Sequence, residues 1–178
     1  MSRLIKVDGL AADQWTRLEN PVDGETVEVP EGNVIVPLSV WLAQRDTLET
    51  RDDIGVWFDS DEEPEALGID CRRFPVIAVN FPKFTDGRGY SIGRLLRERY
   101  GFRNELRAVG DVLLDQLFYM KRCGFDAFVL REDKDINKAA KCLEFFSDAY
   151  QAAVDQTAPL FRRRERTVTE EAGEMAFA

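Results

Sequence analysis

The sequence predicts an α/β fold of βαβ units with a mostly parallel sheet and a short N-terminal β hairpin. Three observations carry this prediction. Apolar runs recur at Ile54–Phe58, Pro75–Asn80, Leu106–Val109 and Asp126–Leu130, with starts roughly 20 to 30 residues apart, about one βα unit. Amphipathic stretches fill the gaps between them. Turn and cap residues such as Gly110, Asp111, Gly124 and Asp135 stand at the joints. Two closures satisfy that order: an open three-layer sheet with helices on both faces, or a partial (β/α)-barrel-like arrangement too short for eight units.

In chain order, residues 1–33 read as a hairpin or arm. Its strands are Leu4–Val7 and Val27–Val29, with turn residues at Asp8-Gly9 and Asp23-Gly24. Val34–Val36 is a further short strand. Leu38, Trp41, Leu42 and Leu48 recur near a 3.6 period and predict a helix over Ser39–Arg51. After Ile54–Phe58, Ser60-x-x-Glu63 has the capping-box pattern, with Pro64 in the first turn. Pro75–Asn80 looks buried on both faces. A polar loop follows, then a helix opened by Ser91 and carrying Ile92, Leu95, Leu96 and Tyr100. Leu106–Val109 leads through Gly110 to Asp111, which can cap a helix with Leu113, Leu117 and Met120 that Gly124 ends. After Asp126–Leu130, Asp135 caps a long helix with a stripe of Ile136, Ala139, Leu143, Phe146, Tyr150 and Ala153. Residues 1–158 thus form a single domain with an α/β core at 34–158. Residues 159–178, with Arg162-Arg163-Arg164-Glu165-Arg166, read as a flexible tail.

Composition narrows the function. The chain has 178 residues, 44% of them hydrophobic, enough for a real core. Its formal net charge of −9 argues against nucleic-acid binding, which needs a basic face. No apolar run reaches the ~20 residues that span a bilayer, and Met1–Lys6 opens no signal peptide, so a cytoplasmic location is expected. The absence of histidine removes His-dependent triads and the usual zinc and haem sites. Cys71, Cys123 and Cys142 are too widely spaced for a metal or redox motif; Cys71 precedes Arg72-Arg73, which could lower its pKa, but reads as a plain thiol. No cofactor is evident, since no dinucleotide fingerprint follows a strand and no cysteine cluster suits an iron–sulfur centre.

Ligands of parallel α/β folds meet the loops at the C-terminal strand ends. The longest of these here runs from Phe81 to Tyr90. Lys83, Asp86, Gly87, Arg88, Gly89, Tyr90, Ser91 and Arg94 have the parts of an anion site: cations, small residues and a helix N-terminus. The competing reading is a turn in which Arg88 pairs with an acidic neighbour such as Asp59 or Asp61. Arg107 lies in an apolar strand and must pair with Glu105, Asp111 or Asp115, or face the same cleft as Arg88. Arg107, Asp111 and Gln116 are the catalytic candidates, and a lyase or isomerase using Asp111, Arg107 and Lys83 is an alternative function. Asp59–Glu63 reads as a cap and solvated face before it reads as a Mg²⁺ site. Trp41, Trp57, Phe58, Phe145 and Phe146 supply more apolar surface than a small sheet hides, which predicts a homodimer.

The run from Pro37 to Leu130 resembles a bacterial family known as domain of unknown function 934. The matching stretches are Pro37-Leu38, Trp41-Leu42-Ala43, Gly55-Val56-Trp57, Asp61-Glu62-Glu63-Pro64, the long motif Phe81–Ser91, Leu95–Gly101, Glu105–Val112 with Asp115-Gln116, and Cys123–Phe128. The resemblance implies a place in assimilatory sulfate and sulfite reduction. Sulfite reductase, its electron donor or another sulfur-assimilation protein would be the partner. It implies no mechanism. It adds weight to the Lys83–Ser91 loop as the site of a small anion, because that loop coincides with the longest motif.

Overall fold

A computed structural model of the chain describes residues 3–22 and 27–163. Among these residues the sheet has eight strands: β1 (Leu4–Lys6), β2 (Gly9–Ala11), β3 (Thr16–Arg17), β4 (Val34–Pro37), β5 (Ile54–Phe58), β6 (Val76–Phe81), β7 (Glu105–Gly110) and β8 (Ala127–Val129). Their spatial order is β2-β1-β8-β7-β6-β5-β4-β3. Strands β3 to β8 run parallel, while β1 is antiparallel to both β8 and β2. From β4 to β8 the strands lie side by side in chain order, with no reversal. Right-handed crossovers without a reversal keep the connecting helices on one face. The sheet curls into an α/β half-barrel.

Alternation along the strands feeds two cores. Val56 and Phe58 of β5, with Ile77, Val79 and Phe81 of β6, belong to the large core under the helices. Ile35, Trp57, Ala78 and Val109 form a smaller cluster on the other, concave face, joined by Trp15 and Val129. Burial on both faces is why these strands read as continuous apolar runs. The helices are α1 (Leu38–Ala43), α2 (Arg45–Leu48), α3 (Arg88–Glu98), α4 (Leu117–Arg122) and α5 (Ile136–Leu143).

Several expectations need correction. The hairpin pairs Leu4–Lys6 with Gly9–Ala11, and its first strand joins the main sheet beside β8. Val27–Val29 is not a strand; it packs against the large core, and the Val27 carbonyl accepts the Gln44 side-chain amide at 2.7 Å. The turn expected at Asp23-Gly24 lies outside the described residues. The single helix expected over Ser39–Arg51 is broken at Gln44, whose φ of −116° separates α1 from α2. The capping box at Ser60 does not form. Glu63 precedes only a 3-10 turn at Pro64–Ala66 and makes no side-chain cap, while Glu62 instead accepts the Asp59 backbone N–H at 2.6 Å.

The last helix is capped as expected, with Asp135 accepting the Asn137 N–H, but it stops at Leu143. Beyond it the chain returns to the end of α4, where Arg122 pairs with Asp155 at 2.8 Å and its carbonyl accepts the Val154 N–H. That return leaves Phe146 and Tyr150 exposed rather than packed with Leu143. Of the tail expected from residue 159, residues 159–163 fold back: Arg163 pairs with Asp148 and the Leu160 N–H bonds the Tyr150 carbonyl. Residues 164–178 lie outside the described residues.

One buried charge ties these layers together. Arg97 of α3 donates to the carbonyls of Gly124 (2.8 Å), Phe102 (3.0 Å) and Asn104 (2.8 Å), and to Asp126 Oδ2 (2.7 Å). Asp126 Oδ1 in turn accepts the Leu106 N–H of β7 at 2.8 Å. The helix, the entry to β7 and the entry to β8 are thus held by one guanidinium. Replacing it with an apolar side chain strands Asp126 and three carbonyls. Arg97→Met is expected to lower unfolding stability by about 3–5 kcal/mol in a denaturant titration, with the fold retained.

Candidate functional site

The Phe81–Ser91 loop leaves the C-terminal end of β6, at the mouth of the half-barrel. The Asp86 N–H closes a turn on the Lys83 carbonyl at 2.9 Å. The Asp86 carboxylate accepts the Arg88 backbone N–H and takes the guanidinium by both arms, Nε at 3.0 Å and Nη2 at 2.7 Å. Arg88 Nη2 also donates to Ser60 Oγ at 2.9 Å. The hydrogen bond from Arg88 holds the Asp86 carboxyl far below the usual carboxylate range. Arg88 therefore pairs with an acid, as one reading expected, but the acid is Asp86 and not Asp59 or Asp61. Asp59 accepts the Asn80 amide at 3.0 Å instead.

The predicted anion group is only partly assembled. Asp86, Arg88 and Ser60 come together. Ser91 lies one turn inside α3, because the helix starts at Arg88. Arg94 pairs with Glu98 at 2.9 Å and lines a different cavity, beside Tyr119. Lys83 is exposed, with no ion pair among the described residues. Gly87 precedes the helix with open space around it, but Gly89 is buried in α3 over Phe81, so its lack of a side chain serves packing. Tyr90 packs on Phe81 (5.2 Å) and Tyr119 (5.1 Å), and burial pushes its hydroxyl up to about 12. The cavity next to Arg88, about 350 Å³, is lined by Asp61, Glu62, Glu63 and Glu65. An anion entering it would meet these carboxylates beside an Arg88 already paired with Asp86.

Asp111 and Gln116 hold the loop backbone. Asp111 Oδ2 accepts the Phe84 N–H at 2.9 Å, and Gln116 Nε2 donates to the Phe84 carbonyl at 3.1 Å. Arg131 fixes the other Asp111 oxygen at 2.6 Å. Asp111 therefore does not cap α4, which begins at Leu117 after a 3-10 turn. Gly110, at φ +93°, lets the ends of β6 and β7 close up: a Cβ there would lie 2.5 Å from the Phe81 carbonyl oxygen. Sequence reasoning missed Arg131 as the anchor, since nothing local marks a charge 20 residues away as its partner.

Arg107 does not reach this mouth. It is 3% exposed and pairs with Glu105 at 2.7 Å and Asp13 at 2.9 Å, next to a concave-face cavity. Of its three expected partners Glu105 is correct, and Asp13 carried no sequence signal. The catalytic candidates are thus divided between two places. Cys71 is fully buried, and burial raises its thiol pKa despite Arg72. Among the described residues no group of three or more Cys, Asp or Glu side chains is placed to hold a metal ion.

A second surface lies on α4 and α5. Trp41, Trp57 and Phe58, expected to be surplus, are buried within the chain. Phe145, Phe146 and Tyr119 are not: they are 72%, 57% and 59% exposed. Phe146 packs edge-on against Phe118 (5.1 Å) and Phe145 (5.0 Å). These rings line a concavity of about 470 Å³ with Leu114 and Cys142, next to a second of about 520 Å³ that includes Tyr150.

Two outcomes follow from the loop geometry. A methyl at Gly89 would lie 2.7 Å from Phe81 Cζ. Gly89→Ala is expected to cost about 1–3 kcal/mol of stability by overpacking, against ~1 kcal/mol gained in helix propensity, so its denaturation midpoint falls. The hydrogen bond from Arg131 lowers the Asp111 pKa in the folded state. Such a carboxylate stabilises fully above its unfolded pKa of about 3.9 and loses that contribution as pH falls through the lower folded value. Hydrogen exchange at the Phe84 amide should therefore stay protected through the ordinary carboxylate range and open only in stronger acid. In Asp111→Ala it should be faster by about tenfold or more through the ordinary carboxylate range and above, with the difference closing in stronger acid.

Comparison with known proteins adds one match. No curated protein and no solved structure matches the chain. A family model described as a bacterial protein of unknown function, DUF934, matches residues 55–161, from β5 through the Phe81–Ser91 loop and the aromatic surface. That is more than half of the 178 residues, and the chain belongs to the DUF934 family.

Proposed function

We propose that this protein is an accessory component of assimilatory sulfate and sulfite reduction that works by docking on a protein partner, either sulfite reductase or its electron donor. The pathway rests on the family resemblance. Docking rests on the exposed aromatic surface of Tyr119, Phe145 and Phe146. Clustered exposed rings keep apolar area in water unless a partner covers it, and aromatic residues are enriched in the centres of interfaces. The occupant is a protein with a basic rim around an apolar centre. A chain of net charge −9 is steered toward such a surface, and its self-association is opposed by like charge.

The test is capture of sulfite reductase and its electron donor by the immobilised native chain and by a Phe145→Ser/Phe146→Ser variant. The native chain should retain one of them at low salt and release it at high salt, and the variant should retain neither. Equal retention by both proteins would overturn the reading. So would a light-scattering mass of two chains that drops to one in the variant, since the occupant would then be a second copy, the homodimer the composition suggests.

A further inference from the structure

The concave face of the sheet holds a charge that docking on the far side does not use. The guanidinium of Arg107 is fixed on one side by its own strand: Nε and Nη2 reach Glu105 Oε1 at 2.8 and 2.7 Å. Lys6 Nζ holds the other oxygen of Glu105 at 2.7 Å. The remaining arm, Nη1, is met from the solvent side by Asp13 Oδ1 at 2.9 Å. Asp13 belongs to the segment between β2 and β3 that runs along the concave face, where residues 12–14 are exposed. Beneath that segment lies a cavity of about 220 Å³. Its walls are Trp15, Ile35, Val109 and Val129, with Arg17 at the side, leaning over the Trp57 ring at 5.4 Å.

We propose that this cavity binds a small organic carboxylate, and that Asp13 is an internal stand-in for it. The ligand's carboxylate takes the place of the Asp13 side chain on Arg107 Nη1, its short apolar body lies between Trp15 and the valines, and the crossing segment moves aside. Charge decides the class of ligand. Glu105 and Asp13 are the two carboxylates on Arg107, so a carboxylate that displaces Asp13 keeps a negative charge on the second arm of a guanidinium that is almost wholly buried. A neutral ligand would leave that arm bare, and a cation would be repelled. The apolar walls of Trp15, Ile35, Val109 and Val129 select an organic acid over an inorganic oxyanion, whose outer oxygens would face that hydrocarbon. The exchange is local: the crossing segment is exposed, and the chain is pinned to the sheet again at Thr16 and Leu18, whose N–H groups bond Asn33 and Ile35 carbonyls.

The experiment titrates the full native chain and an Asp13→Ala variant with acetate, propionate and benzoate, each against chloride and sulfate at equal ionic strength. Intrinsic fluorescence and melting temperature are followed, because Trp15 lines the cavity and Trp57 lies under Arg17. The native chain should respond saturably to a carboxylate and not to the inorganic ions. Asp13→Ala should bind the same acid at least about tenfold more tightly, since the competing carboxylate is gone. Backbone amide shifts of the native chain should concentrate at residues 13–17, 107–110 and 129, a readout that does not require an Arg107 variant to fold. No saturable response in either protein overturns the site. Equal affinity in both overturns the role of Asp13, and shifts centred on the 83–91 loop or on α4 and α5 would place the carboxylate elsewhere and overturn the assignment.

Discussion

The Arg97–Asp126 clasp is the interaction on which the rest of the half-barrel depends. A singly wound sheet has to hold each helix at a set distance from the strands it connects, and the crossing from α3 to β7 is only a few residues long. Arg97, near the end of α3, solves this by binding the Phe102 and Asn104 carbonyls where the crossing enters β7 and the Gly124 carbonyl in the turn before β8, with Asp126 as its counter-charge. Burial opposes both charges: it lowers the Arg97 pKa and raises that of Asp126. The pair persists because nearly every donor and acceptor in it is used. The seat of α3 follows from the same registration. Gly89 and Gly93 lie one turn apart and let the helix settle on the rings of Phe81 and Phe125.

With α3 fixed, the mouth of the half-barrel becomes a set of locked loops rather than an open cleft. Arg88 is neutralised by Asp86, Asp59 is engaged by Asn80, and the Phe84 peptide is held from both sides by Asp111 and Gln116. A loop with this many charges would otherwise be solvated and variable. Here the Asp86, Arg88 and Asp111 charges are each engaged by a neighbour, and the ordered product is a shaped rim. The Phe81–Ser91 stretch therefore has a structural role in this chain: its residues build and lock the β6–α3 connection.

The two proposed surfaces lie on either side of the sheet. The helical side presents aromatic rings on α4 and in the segment after α5, and the concave side encloses Arg107 under the N-terminal crossing. The two do not share a side chain, and each follows from the same topology. A half-barrel leaves its inner face open, so the chain must cover it with something local, which is the work of Trp15 and Asp13. It also ends with a short final helix, so the residues after it must return across the outside, which lifts Phe145 and Phe146 into solvent.

The sequence by itself determined the α/β class, the positions of β4 to β8, the cap at Asp135 and the stop at Gly124. Each of these is a local matter: apolar runs mark strands buried on both faces, and a side chain beside its own backbone sets a cap. It also singled out Arg88 and Arg107 as needing acidic partners, and Asp111 and Gln116 as candidate catalytic residues. Only the tertiary structure decided who those partners were. Asp13 lies 94 residues from Arg107, and Arg131 lies 20 from Asp111. The strand order, the half-barrel closure, the insertion of β1 beside β8 and the early end of α5 are of the same kind. They are set by which buried surfaces and charges find one another across the chain, and periodicity along the chain carries no record of that choice.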